Sequence, residues 1–214
     1  QVNGTTAPAS AVAVNAGTLA GTGSVGGSVS VQSGAAVNPG VAAPGVLVVG
    51  SLGLGAGGVL QFDINGPTPG TQHDRLDVPG SIALNGATLA LVGSYTPAPG
   101  NSFVLINNQG SVPVIGTFAG RPQNAAFAFN GVTVSISYTG GDGNDVVLRA
   151  QPTASVSIDD VTLTESDAGS SNAAFTVTRS STLAAFTVPY TLTAGSAAVG
   201  SDYTSVSGTL SFAA

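Results

Sequence analysis

Apolar and polar residues alternate with period two in one short segment after another: Ser28–Val31, Leu47–Leu54, Val59–Ile64, Ile82–Leu91, Val132–Tyr138, Ala154–Ile158 and Ala174–Thr178. Neighbouring side chains on a strand point to opposite faces, so this pattern predicts β-strands with one buried face each. No longer window carries a helical stripe, and 31 Gly and 12 Pro interrupt every candidate. Asn-Gly pairs at 65–66, 85–86 and 130–131 mark tight turns that need positive φ. The expectation is an all-β chain.

Between Asn15 and Leu91 the unit is short: an alternating strand, a Gly-rich corner, then another strand. TLAGTGSV (18–25), GGSVSVQSGAAV (26–37), VLVVGSLGLGAGGVLQFDI (46–64) and SIALNGATLALV (81–92) look like related rungs. Val, Leu, Ile and Ala take the inward positions; Gly, Ser, Thr and Asn take the corners. A parallel β-solenoid suits this pattern, because each coil can bury its apolar positions on the last. Periodicity alone leaves an antiparallel sandwich with short turns as the alternative.

Charge sharpens the setting. Residues 1–62 carry no charged side chain, and the first is Asp63. Charged residues make up 7% of the 214 and hydrophobic ones 43%, against a usual charged share of about 25%. Such a chain is not of the disordered kind, which needs high charge and few apolar residues. Four Arg, no Lys and a net charge of −6 offer no basic patch, so nucleic acid is not expected as a partner. With no Cys, disulfides, thiolate zinc sites and thiol nucleophiles are excluded. With no Met, Gln1 is not a translation start, and a processed or partial chain is expected. No apolar run of about 18 residues predicts a membrane-spanning helix; an export signal or anchor is expected outside these residues.

Two resemblances follow from longer stretches. The order of AGTLAGTGSVGGSVSVQSGAAVNPG (16–40), LGLGAGGVLQFDING (52–66), HDRLDVPGSIALNGATLALV (73–92), FVLINNQGSVPVIGTFAG (103–120) and VSISYTGGDGNDVVL (134–148) resembles the passenger-associated repeat region of autotransporter-type bacterial surface proteins. That resemblance implies a right-handed parallel β-helix with a capping segment, secreted and displayed outside the cell; it does not imply a catalytic activity. From Gln151 the composition shifts, with five acidic residues and one Arg. TES-D-G at 164–169 and GSDYT…GTLSF at 200–212 resemble a Calx-β domain, an immunoglobulin-like sandwich, over its first four or five strands. The implied organisation is a tail at 1–14, a solenoid with its cap at 15–150 and a partial sandwich at 151–214. A partial sandwich leaves open edges, which downstream strands or a strand from a neighbouring subunit would fill. The uncharged tail 1–14 is the candidate donor strand.

Candidate sites are few. Some Calx-β domains bind calcium, and the resemblance carries that role to Glu165 and Asp202, with Ala194 where the family has an acidic residue. Calcium takes six to eight oxygens, so this pair makes at most an incomplete site. GGDGND (140–145) could set Asp142 and Asp145 near a cation, but Gly-Asp calcium sites need stacked copies and this motif occurs once; turn and cap is the reading. His73 beside Asp74 invites a Ser-His-Asp arrangement, yet no G-x-S-x-G elbow exists, and a structural histidine is expected. Asp63, Asp74, Arg75 and Asp77 are the one acidic cluster of the repeat region, with Arg75 expected to pair with a neighbouring carboxylate. No catalytic residue is assigned and no cofactor is required. The expected function is an extracellular structural scaffold or stalk that self-associates, or meets other surface components, in filaments. An adhesin with calcium-stiffened domains is the alternative, and a polysaccharide-acting enzyme comes third.

Overall fold

Strands form where the alternation lies, and no helix occurs among the described residues, which are 1–152, 154–164, 169–180 and 185–213 of a computed structural model. The chain divides into two units, Gln1–Gln151 and Pro152–Ala214. The first holds β1 (Val12–Val14), β2 (Gly17–Gly21), β3 (Ser24–Val31), β4 (Ala35–Pro39), β5 (Val46–Leu54), β6 (Val59–Asp63), β7 (Arg75–Val78), β8 (Ile82–Ala83), β9 (Thr88–Val92), β10 (Ser102–Asn108), β11 (Ala126–Phe129), β12 (Val132–Gly140) and β13 (Asp145–Ala150). The second holds β14 (Val156–Ile158), β15 (Val177–Arg179), β16 (Phe186–Thr191) and β17 (Ser207–Phe212).

In the first unit the chain feeds two sheets by turns. β1, β3, β5, β7 and β10 pair in parallel in one sheet, with β8 also on β5, while β2, β4, β6 and β9 pair in parallel in the other. Parallel in-register pairing stacks each inward side chain on its counterpart in the rung before. Val12 lies against Val29, Val29 against Leu52 and Leu52 against Ile82. Leu47, Leu76 and Ile106 form a second column, and Leu19, Val37, Leu60 and Leu89 a third in the other sheet. Each fully buried member contributes roughly 1.5–3 kcal/mol, and the columns merge into one core.

The corners differ. From the larger sheet to the smaller the chain turns tightly, with Ala35, Gly58 and Ala87 donating to the carbonyls of Gln32, Gly55 and Leu84. In the opposite direction the first crossing takes only Thr22 and Gly23, and the later ones pass through longer loops at 40–45, 64–74 and 93–101. Within the larger sheet β3 shifts register between Val25 and Ser28, beside a column of glycines. A Cβ on Gly50 would meet the Gly26 carbonyl oxygen at 2.4 Å, and one on Gly80 would meet the Gly50 carbonyl oxygen at 2.3 Å. Backbones approach there too closely for any side chain.

Parallel pairing ends at β10, whose far edge pairs antiparallel with β13, and β13, β12 and β11 continue as antiparallel neighbours. Tyr138 ties this end: its hydroxyl accepts from Phe118 N at 3.0 Å and donates to Arg121 O at 2.6 Å. Residues 1–14 are held by their own chain. Val2 N donates to Ala20 O, Gly23 N to Val2 O and Thr6 N to Ser24 O, and β1 pairs with β3.

In the second unit β14 pairs antiparallel with β15, and β16 with β17. Every described residue of this unit keeps some solvent exposure; the half-buried ones include Val177 on β15 and, on one face of the β16–β17 pair, Phe186, Val188, Leu210 and Phe212, while β14 is exposed throughout. Phe186 and Phe212 stack at 5.0 Å between centroids.

The glycine column sets a test. Gly50→Ala pushes a methyl group into a neighbouring backbone and is expected to cost at least about 2 kcal/mol. Gly53→Ala, whose Cβ meets nothing within 4 Å, should stay within about 0.5 kcal/mol of wild type. Urea unfolding of both variants checks the pair.

Candidate functional site

Two of the polar side chains that the fold buries, His73 and Asp74, lie together at the end of the 64–74 loop. Asp74, fully buried, closes this corner. Its Oδ1 accepts from Gly45 N at 2.8 Å and its Oδ2 from Asp63 N at 2.8 Å, while Asp74 N donates to Asp63 O. Asn38, on the next rung, joins them once its amide is assigned from the hydrogen-bond network. Its Nδ2 then donates to Asp74 Oδ2 and Pro39 O, and its Oδ1 accepts from Gln61 Nε2, each at 3.0 Å. One carboxylate thus ties together the 40–45 loop, the end of β6 and, through Asn38, β4. Burial pushes its pKa up to about 6, against the lowering effect of the hydrogen bonds from Asp63 and Gly45.

His73 is buried beside it. Its Nδ1 lies 3.2 Å from Gly66 O, a bond in which the ring donates, and its ring meets Phe103 edge-on at 5.4 Å. Nε2 is buried without a hydrogen-bond partner. Burial holds the pKa below the ordinary histidine value, against the raising effect of the Gly66 and Val104 carbonyls. Asp74 makes no hydrogen bond to this ring: its oxygens are committed to backbone amides and Asn38.

The rest of the expected acidic cluster does not converge on one place. Arg75 pairs with Asp77 through Nε–Oδ1 at 2.6 Å and Nη2–Oδ2 at 2.9 Å, as expected of it, and Asn107 Nδ2 donates to Asp77 Oδ1 at 3.2 Å from the next rung. Asp63 enters through its backbone. In GGDGND, Gly143 N donates to Gly140 O within the turn from β12 to β13, and Asp142 is exposed. Asp145 is buried and accepts from Asn108 N at 2.9 Å; burial raises its pKa. Asn108 in turn donates to the carbonyls of Val112 and Asn144, so this carboxylate braces the last parallel strand against the antiparallel end. Asn38, Gln61, Asn107 and Asn108 were not singled out from the sequence. No sequence signal marks them, because each meets its partner only through the stacking of rungs.

Of the pair assigned to calcium, Glu165 lies outside the described residues. Asp202 is exposed, and its Oδ2 accepts from Ala198 N at 2.8 Å, the hydrogen bond chiefly responsible for lowering its pKa. Among the described residues no three His, Asp or Glu side chains come together to hold a metal ion.

The Asp74 shift has a sign. Folding favours the protonated carboxyl, so its contribution is greatest below its ordinary pKa of 3.8 and is lost as pH rises through about 6. Asp74→Ala orphans the Gly45 and Asp63 amides at any pH, and the cost should be larger at pH 4 than at pH 7 by on the order of 2–3 kcal/mol. Paired urea titrations of wild type and variant at the two pH values measure the difference; equal costs refute it. Comparison with known proteins returns no protein-family model that matches the chain and no curated protein that matches it.

Proposed function

We propose that this chain is an extracellular structural protein of a bacterial surface or matrix. In this reading it is a right-handed parallel β-solenoid with a capping segment, followed by a partial Calx-β sandwich, and it acts as a scaffold or stalk with no catalytic role. The observation that carries the proposal is the alternate delivery of parallel strands to two sheets with inward residues stacked in columns. A stack in which each rung touches only its neighbours gains length without a closed globular core, and its buried carboxylates are consumed in joining rungs. Immunogold labelling of intact source cells, with protease shaving of the same cells, tests the setting. The protein should be labelled at the surface or recovered from the medium; confinement to the cell interior overturns the proposal.

Self-assembly into filaments by strand exchange belongs to the same proposal. Because residues 1–14 pair within the chain, exchange means remaking those bonds on a neighbouring subunit. Electron microscopy of the purified protein should show ordered filaments that deletion of residues 1–14 abolishes. Filaments that persist after the deletion overturn exchange through this segment. The adhesin reading draws on one observation, the gathering of the 40–45, 64–74 and 93–101 loops at one corner, where they stack on one another: Ser94 N reaches Asn65 Oδ1 at 3.4 Å.

A further inference from the structure

His73 is the single histidine of the chain, and it sits at the base of the longest of these loops. Four backbone hydrogen bonds close the loop on itself: Asn65 N to Gln72 O, Gly70 N to His73 O, and Gln72 N and His73 N to Thr68 O. The ring locks the closure by reaching Gly66 O with Nδ1. Its other nitrogen, Nε2, is enclosed with no hydrogen-bond partner. A neutral imidazole carries one proton, and Nδ1 uses it on Gly66 O. A second proton would leave a buried N–H without an acceptor and place a full charge against the Phe103 ring in a site closed to water, both of which disfavour the charged form.

The neighbouring charges do not supply the balance. Arg75, on β7, opposes a second positive charge. Asp74 is committed to Gly45, Asp63 and Asn38, and Asp63 reaches the corner through its backbone. Residues 65–72 carry no charge, nor does any residue of β10, whose Phe103 ring meets the imidazole.

We infer that His73 is a proton-gated latch: the neutral ring holds the 65–72 loop shut on the stack, and protonation releases it. Released, the loop frees the Asn65, Gly70 and Gln72 amides and exposes the apolar ring of Phe103 beneath. Asp74 stays anchored outside the loop, so the rungs themselves remain joined.

Amide hydrogen exchange of the full chain tests this, read as protection factors at Asn65, Gly70 and Gln72 and normalised to intrinsic rates at each pH. His73→Phe fills the site with a ring that cannot ionise. A ring protonated freely in the open loop and resisted in the closed one shifts the opening equilibrium as pH falls below 6.5. The ratio of protection in His73→Phe to that in wild type should therefore rise roughly tenfold from pH 7 to pH 5. A ratio independent of pH overturns the latch, as does a His73 ring resonance that titrates at or above 6.5. Should His73→Phe fail to fold, His73→Gln, which keeps a donor for Gly66 O and cannot ionise, gives the same comparison.

Discussion

The first unit depends on one constraint: a residue on a parallel strand must fit on top of its counterpart in the rung before. In-register pairing puts Val12, Val29, Leu52 and Ile82 in one line, and the line stays dry only if every member is apolar and of similar bulk. The same rule governs the backbone. Gly50 and Gly80 lie where successive rungs come within contact distance of a carbonyl, and only a residue without a side chain satisfies both neighbours. Core packing and bend geometry are therefore two faces of one stacking requirement.

Polar groups inside such a stack must obey it too. A buried carboxylate can persist where several rungs each offer it an amide, which is the position of Asp74 between the 40–45 loop, β6 and Asn38. Asp145 follows the same logic at the far end, where parallel pairing gives way to antiparallel. Both acids are pushed towards their neutral forms by burial, and both are joints between elements that the core alone does not connect.

β3, β5, β6, β9, β12, β14 and β15 were legible in the sequence because alternation with period two marks them, whereas β7 and β13, buried at nearly every residue, carry no such alternation. Of the Asn-Gly turns, Asn85-Gly86 and Asn130-Gly131 take positive φ, and Asn65-Gly66, which opens the 64–74 loop, does not. The pairing of Arg75 with a nearby carboxylate was legible too, since Arg75 and Asp77 project to the same side two residues apart on one strand. What periodicity could not supply was the vertical partner of each residue. That depends on how many residues each loop inserts before the next strand begins, a number that varies from rung to rung. Asn38 meets Asp74, and Gln61 meets Asn38, only once that count is known. Residues 1–14 show the same gap: β1 is three residues long, too short to announce itself without the strand it lies on. In the second unit the alternation was visible, but the half-covered faces of its strand pairs leave no buried side chain among the described residues to fix a layer.

The two kinds of corner have a consequence for how such a chain can change over generations. At the tight corners one added residue would slide every later side chain off its column, so length there is frozen. At the loop corner the connection between sheets is short at 40–45 and longer at 64–74 and 93–101, and Leu60 is seated on Val37 and Leu89 on Leu60 all the same. Novelty can accumulate along that single edge while the interior is inherited unaltered.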